Sequence, residues 1–235
     1  MPSFHHRSYK KELLDRDDIL FEDIKRNMIE LDFINRKLGG HDITLDGIVE
    51  LIRYQMPFNK ICTIVEIGSG GGDNLRAIKK WAEHIHFPIE LTGIDINKEC
   101  IQYANKNNEN VGIYFIHADY KDVNFKNKPD IIFSSLFCHH FTEEELVFQL
   151  QWMKENSELG FFINDLQRHP VAYYSIKMLT KLFSHSYLVK NDAPLSVLRG
   201  FKRKEWEQLF LQASLGPFSC QWKWAFRWLI TYCNE

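Results

Sequence analysis

The stretch Glu66-Ile67-Gly68-Ser69-Gly70-Gly71-Gly72 decides the fold. It follows directly on Ile61 to Ile67 (ICTIVEI), a short, apolar, β-branched run of the kind that makes a buried parallel strand. Leu75, Ile78 and Ala82 come next at helical spacing. A strand that runs into glycines and then into a helix is a β–turn–α unit, and its glycines let a ligand approach the backbone closely. Several nucleotide folds use such a turn, but the neighbouring residues narrow the choice. The dinucleotide fingerprint GxGxxG would require glycine at position 73, where this chain has Asp73. An acid, Glu66, stands two residues before the first glycine.

Outward from this unit the pattern repeats. Ile89 to Ile96 (IELTGIDI) reads as the second strand, and Asn97 can cap the helix after it. Val111 to Ala118 is the third strand, Pro129 to Phe137 the fourth and Leu159 to Leu166 the fifth. Thr142-x-x-Glu145 is a capping box for a helix that Leu146, Leu150 and Met153 carry into the core. Alternating strands and helices predict an α/β fold with a parallel sheet and right-handed crossovers. Ligands in such sheets sit at the carboxyl ends of the strands.

Two helices precede this core. One carries Ile24, Met28, Leu31, Ile34 and Leu38 on one face and stops at Gly39-Gly40; the other carries Leu45, Ile48, Val49, Ile52 and Met56 and closes at Pro57. After the core, Pro170 starts a helix to Phe183 that is apolar on most faces. Lys190 to Phe201 shows no period and reads as a loop. Trp206, Leu209, Phe210 and Ala213 form a further helix, ended by Gly216-Pro217. Trp222, Trp224, Phe226, Trp228, Ile230 and Tyr232 alternate at period two, as one long strand or a tight hairpin; the ladder reads as sheet core.

Composition excludes several classes. With 235 residues, 45% hydrophobic and 26% charged, the chain is one globular unit rather than a disordered one. Lys+Arg 29 against Asp+Glu 31 leaves a net charge of -2, which argues against a nucleic-acid partner. Cys62, Cys100, Cys138, Cys220 and Cys233 form no CxxC and no even set, which fits a reducing compartment. The opening residues carry no apolar run of a secretory signal, and no stretch approaches the roughly 18 apolar residues of a membrane span. The expectation is a soluble, cytoplasmic protein with no stable membrane insertion.

Asp95, at the end of the second strand, can accept both hydrogen bonds of a ribose diol, and Asp119 after the third would meet the exocyclic amine of an adenine. Acids and glycines so placed suit a nucleoside whose tail is not a pyrophosphate. On Glu66–Gly72, Ile94-Asp95, Ala118-Asp119 and the strand Asp130–Phe137, the sequence resembles the class I S-adenosylmethionine (SAM)-dependent methyltransferases. The resemblance implies a Rossmann-like three-layer α/β/α fold with a seven-stranded, mostly parallel sheet, and SAM as cofactor. It implies cofactor contacts from Glu66, Gly68, Ser69, Gly70, Gly72, Asp95, Ile96, Asp119, Tyr120 and Ser135. It divides the single domain into a helical cap (10–56), a SAM-binding core (61–166), a substrate lid (167–201) and a C-terminal helix with strands (202–235). The helical cap would pack over the SAM site.

Leu31–Gly40, the SLFCHHF segment, Asn164-Asp165-Leu166, Asp192–Phe201 and the closing FRWLI are similar to a narrower group, the small bacterial methyltransferases often encoded beside type III polyketide synthases. That likeness implies O-methylation of a small, apolar aromatic or polyketide-like acceptor. The more distant ubiquinone and menaquinone ring methyltransferases imply C-methylation instead. A phenol ionises near pH 10, so a base helps at neutral pH. His139 or His140 after the fourth strand is the expected base, with Asp165 as orienter or alternative base. Cys138, His139 and His140 are adjacent and seldom could point at one ion, so no metal is expected. Tyr173, Tyr174, Met178 and Phe183 are expected to line the acceptor pocket, and Arg168, Lys190 and Arg199 to be solvated or to hold an acidic substituent. The rival functions are a nucleoside-binding protein without catalysis and a nicotinamide dehydrogenase, which Asp73 disfavours.

Overall fold

The structure is a computed structural model that describes residues 2–16, 18–53 and 60–234. Seven strands form its centre: β1 (Cys62–Ile67), β2 (Ile89–Asp95), β3 (Ile113–His117), β4 (Ile131–Ser135), β5 (Gly160–Leu166), β6 (Ser219–Lys223) and β7 (Arg227–Cys233). Their order is β3-β2-β1-β4-β5-β7-β6. The first five strands pair in parallel, and β7 is antiparallel to both β5 and β6. The order reverses between β1 and β4, so the ends of those two strands open the crevice where ligands bind.

Among the described residues, eight α-helices accompany the sheet: α1 (Phe21–Lys37), α2 (Gly40–Ile52), α3 (Asp73–His84), α4 (Lys98–Lys106), α5 (Glu143–Asn156), α6 (Pro170–Phe183), α7 (Tyr187–Arg199) and α8 (Arg203–Gln212). The period-two pattern of β5 shows how the layers form. Phe161 and Ile163 point to one face, into a core with Leu150 and Met153 of α5 and Trp206 and Phe210 of α8. Phe162 points to the other, among Ile43, Ile48 and Leu51 of α2 and Leu75 and Ile78 of α3. The expected caps are in place. Asn97 accepts from the Glu99 and Cys100 N–H groups, and Thr142 and Glu145 form a reciprocal capping box.

Two expectations change. Lys190 to Phe201 is not a loop; α7 covers Tyr187–Arg199 with Pro194 inside it. Pro194 lacks the N–H that a helix needs and obscures the period. The helix holds because Ser186 caps it and because both oxygens of Asp192 accept N–H groups of the N-terminal segment, from Leu13 at 2.9 Å and Leu14 at 3.0 Å. The tryptophan ladder resolves into a hairpin. Trp222 pairs with Trp228 across β6 and β7, and the turn falls on residues 224–226, where Phe226 takes a φ of 55° although it is not glycine. Trp228, Ile230 and Tyr232 enter the core, whereas Trp222 and Trp224 stay exposed, so the ladder is core only along β7. Met56 and Pro57, expected to finish the second helix, lie outside the described residues.

Candidate active site

The glycine-rich turn closes on the carboxyl ends of β1 and β2. The Gly68 and Ser69 N–H groups both donate to the Ile94 carbonyl, at 2.8 and 3.1 Å. Gly70 has a φ of 49°, and its N–H donates to Asp95 Oδ2 at 2.8 Å. Gly68, with a φ of 71°, lies against the Phe137 ring: a Cβ there would come within 2.3 Å of it. Gly72 is the left-handed cap of α3. From above, α1 covers the turn, with Met28 beside Gly70 and Gly71 and Phe21 edge-on to Tyr103.

The acids expected at this end are all present there. Glu66 is buried; its Oε1 accepts from Asn74 Nδ2 at 2.9 Å, and its Oε2 has no hydrogen-bond partner among the described residues. Burial first, and then the nearby Asp73 charge, push the Glu66 carboxyl well above the usual range. Asp95 is half-buried at the mouth; burial raises its carboxyl, and the N–H groups of Asn97 and Gly70 offset part of that. Asp119 is half-buried and accepts the Lys121 N–H at 3.1 Å. Ile96 is exposed beside Asp95, and Ser135 ends β4 almost buried. Tyr120 turns its ring into the core against Trp152 and Phe137, with its hydroxyl buried and unpartnered.

The unpartnered Glu66 oxygen carries a testable sign. A carboxyl raised by folding loses its proton first in the unfolded chain, so stability falls as pH climbs from the ordinary value toward the folded one. Glu66→Gln keeps the Asn74 bond and removes the titration. Its stability in urea, compared with wild type, is expected to improve steadily as pH rises above about 4.5. An unchanged difference between pH 5 and pH 8 would contradict the burial of that charge.

Beyond the turn lies a cavity of about 420 Å³. Its walls are mostly apolar, among them Leu31 and Ile34 of α1 and Ile176 and Leu179 of α6. Val171, Ala172 and Ser175 also face it, so the cavity side of α6 is not the side expected. Tyr174, Met178 and Phe183 are exposed and do not line it, and Tyr173 packs on Phe4. Arg168 and Arg199 are not solvated either. Arg168 is buried, bound to the Gly200 carbonyl and to Glu205, and Arg199 is buried against the His139 and His140 carbonyls.

Consecutive residues connect the two regions. Leu136 lines the cavity while Phe137 rests on Gly68. A hydrogen-bonded chain runs below them from Glu66 through Asn74, Thr44 and Asn164 to Arg227, which binds Asn35 Oδ1 at 2.7 Å; Asn35 and Arg227 both reach the cavity.

The polar end of the cavity contains the expected pair. His139 is buried, and its Nδ1 meets Asp165 Oδ1 at 2.8 Å. Asp165 is fully buried; burial raises its carboxyl, but His139 and its hydrogen bond bring it below the usual value. His140 meets Asp15 Oδ1 through Nδ1 at 3.1 Å. Cys138 turns away, into the core beside Ser134 and Gln149. Sequence reasoning misses Glu12. It lies buried between the two imidazoles, with its Oε1 3.7 Å from His139 Nε2 and its Oε2 3.9 Å from His140 Nε2. No local signal marks it, because its partners are far away in the chain. Burial raises the Glu12 carboxyl above its usual value, against the pull of His140 and the Ser196 hydroxyl.

Residues 64–160, from β1 to the first residue of β5, match the family of methyltransferase domains. This is a class I methyltransferase fold. No curated protein matches the chain. Among solved structures, the plantazolicin methyltransferase BpumL, in complex with a monoazolic desmethylPZN analog and SAH, is 24% identical over 86% of this chain and 75% of its own, with a TM-score of 0.59. A putative O-methyltransferase from Nostoc punctiforme PCC 73102 is 14% identical over 88% of this chain and 60% of its own, with a TM-score of 0.58. The magnesium protoporphyrin IX methyltransferase ChlM from Synechocystis PCC 6803, with bound SAM, is 11% identical over 83% of this chain and 80% of its own, with a TM-score of 0.53. Identities this low speak for a shared fold. Among the described residues, no helix of this methyltransferase fold is long and apolar enough to cross a membrane.

Proposed function

We propose that this protein is a SAM-dependent methyltransferase that acts on the hydroxyl of a small, apolar, aromatic or polyketide-like acceptor. The observation that carries the reading is the apposition of the two regions through Leu136 and Phe137. A glycine turn ringed by acids lies on one side, and a greasy cavity with one polar end lies on the other. SAM supplies a sulfonium methyl that is already electrophilic. The protein's task is then to hold the acceptor in line with it and to exclude water.

Glu66, Gly68, Ser69, Gly70 and Gly72 would hold the methionine end, with the free Glu66 Oε2 as an acceptor for its ammonium group. Asp95 and Ile96 would hold the ribose and one adenine face; Asp119 and Ser135 would complete that side, where Tyr120, its ring turned into the core, would offer only its backbone. Removal of the acceptor's proton falls to the polar end formed by His139 and His140, with Asp165 fixing the first ring. A device for removing a proton favours an oxygen nucleophile over the ring carbon of a quinol.

Two measurements test the reading. SAM titrated calorimetrically into wild type should bind saturably, and Asp95→Ala should weaken it about 10- to 100-fold, the usual worth of a hydrogen bond to a charged group. Methyl-labelled SAM incubated with a panel of phenols should give an O-methylated product. Failure to bind SAM would leave a different nucleoside or a non-catalytic binder. Binding without any transfer to oxygen, but with label on carbon, would favour the quinol alternative.

A further inference from the structure

We propose that Glu12, His139 and His140 form a binding site for a divalent transition-metal ion of the zinc class at the polar end of the cavity. The inference deepens the reading above, because it assumes that this cavity takes the acceptor. One ligand atom from each residue lies within 4.8 Å of the other two. The Glu12 oxygens stand 3.7 and 3.9 Å from the two Nε2 atoms, too far for hydrogen bonds. The three groups therefore face one another across a gap and do not bond. Ligands held about 2.0–2.2 Å from zinc in a tetrahedron lie roughly 3.4 Å apart, so a small closure makes the set complete.

The outer partners suit the same role. Each Nδ1 meets a carboxylate, Asp165 for His139 and Asp15 for His140. A metal-binding imidazole typically donates its other N–H in this way, which fixes the ring and turns the Nε2 lone pair toward the ion. Neither Nε2 has a hydrogen bond to a described residue, and His139 is only 3% exposed. The backbone beneath is clamped as well. Arg199 donates to the His139 and His140 carbonyls at 2.9 Å each, and Arg7 donates to the Phe141 carbonyl at 3.0 Å. Three carboxylates touch the two rings, and Arg199 is the one guanidinium among the described residues that pairs with any of them. The surplus negative charge matches a divalent cation.

A second cluster, Asp32, His41 and Asp73, lacks such a gap. His41 Nε2 already bonds Asp73 at 3.0 Å, and Asp32 is held by Arg36.

An ion at Glu12, His139 and His140 leaves a position for the acceptor oxygen. On binding, the hydroxyl gives its proton to water. An oxygen lone pair then forms the new O–CH₃ bond as the methyl–sulfur bond breaks, and that bond's electron pair stays on sulfur. The histidines would thus discharge the acceptor's proton as ligands, with the ion as the acid.

The test uses the full chain, purified without a histidine tag and stripped with a chelator. Zn²⁺ binding is followed by calorimetry and Co²⁺ binding by visible absorption, with circular dichroism confirming that each variant is folded. One equivalent should bind to wild type and to Cys233→Ser. Binding should be lost in Glu12→Gln and His140→Ala, and weakened about 10- to 100-fold in Asp15→Asn. No saturable binding to folded wild type, equal binding in Glu12→Gln and His140→Ala, or loss in Cys233→Ser would each overturn the site. Full methyl transfer by the stripped protein would overturn the metal's role and leave the methyltransferase reading intact. Metal binding without SAM binding would do the reverse.

Discussion

Turnover of His139→Ala will fall about 10²- to 10⁴-fold below wild type with SAM affinity unchanged, because loss of the group proposed to activate the acceptor hydroxyl, as base or through a bound ion, costs on that scale. The imidazole is buried, anchored to a fully buried Asp165 at 2.8 Å, and lines the cavity beside Glu12 and His140. Alanine therefore removes the group proposed to activate the acceptor without touching the glycine turn. Asp165→Asn separates this from a merely structural effect. The amide keeps the shape, but it withdraws the charge that fixes the ring and alters the acceptor for the His139 N–H. It should lower kcat strongly with little change in KM, and it should shift the pH profile of kcat, which a packing defect alone would not do. Steady-state kinetics with the best phenol from the panel, beside SAM calorimetry on the same preparations, provide the check. Near-full turnover in both His139→Ala and His140→Ala would remove this end of the cavity from the chemistry.

The largest loss of stability is expected from Gly160→Ala. Gly160 opens β5 with a φ of 140°, a conformation that other residues rarely adopt. A Cβ at this position would stand 2.1 Å from the Tyr232 carbonyl oxygen, which belongs to the backbone of the neighbouring strand. Unlike a flexible side chain, that atom cannot swing aside. The clash would prise β7 from β5 exactly where Gly160 faces Cys233, at one end of a seven-residue pairing. The combined strain and lost pairing should cost on the order of 4 kcal/mol or more, read as the shift in the urea or guanidinium midpoint. A loss under 1 kcal/mol would mean that the strand is free to relax.

The sheet was legible because β1, β4 and β5 are largely apolar runs bounded by polar or turn residues, as burial on both faces demands, whereas β2 and the edge strand β3 keep exposed residues such as Glu90 and Tyr114. The glycine-turn end was legible because its residues are local: the turn and its acids stand at or just beyond the ends of their strands. Helix α7 was hidden by Pro194, whose cost is met by contacts with Leu13 and Leu14 far earlier in the chain. The polar end of the cavity was only half legible. His139, His140 and Asp165 follow strands and can be found by position. Glu12 and Asp15 sit in a charged stretch with no period, and their meaning arises only when the N-terminal segment packs against α7 and the His139–Phe141 turn. The lining of α6 was misjudged for a simpler reason: a helix apolar all round does not reveal which face turns inward.

Arg7 and Glu12 belong to none of the helices, Asp15 ends a single 3-10 turn (Leu13–Asp15), and all three lie outside the span 64–160 that matches the methyltransferase-domain family. The residues proposed to grip the donor and those proposed to tune the recipient thus reside in separable pieces of chain. Because Glu12 and Leu14 line the cavity, exchange of that short segment, with the glycine turn left untouched, offers a compact route to new selectivity in the proposed reaction.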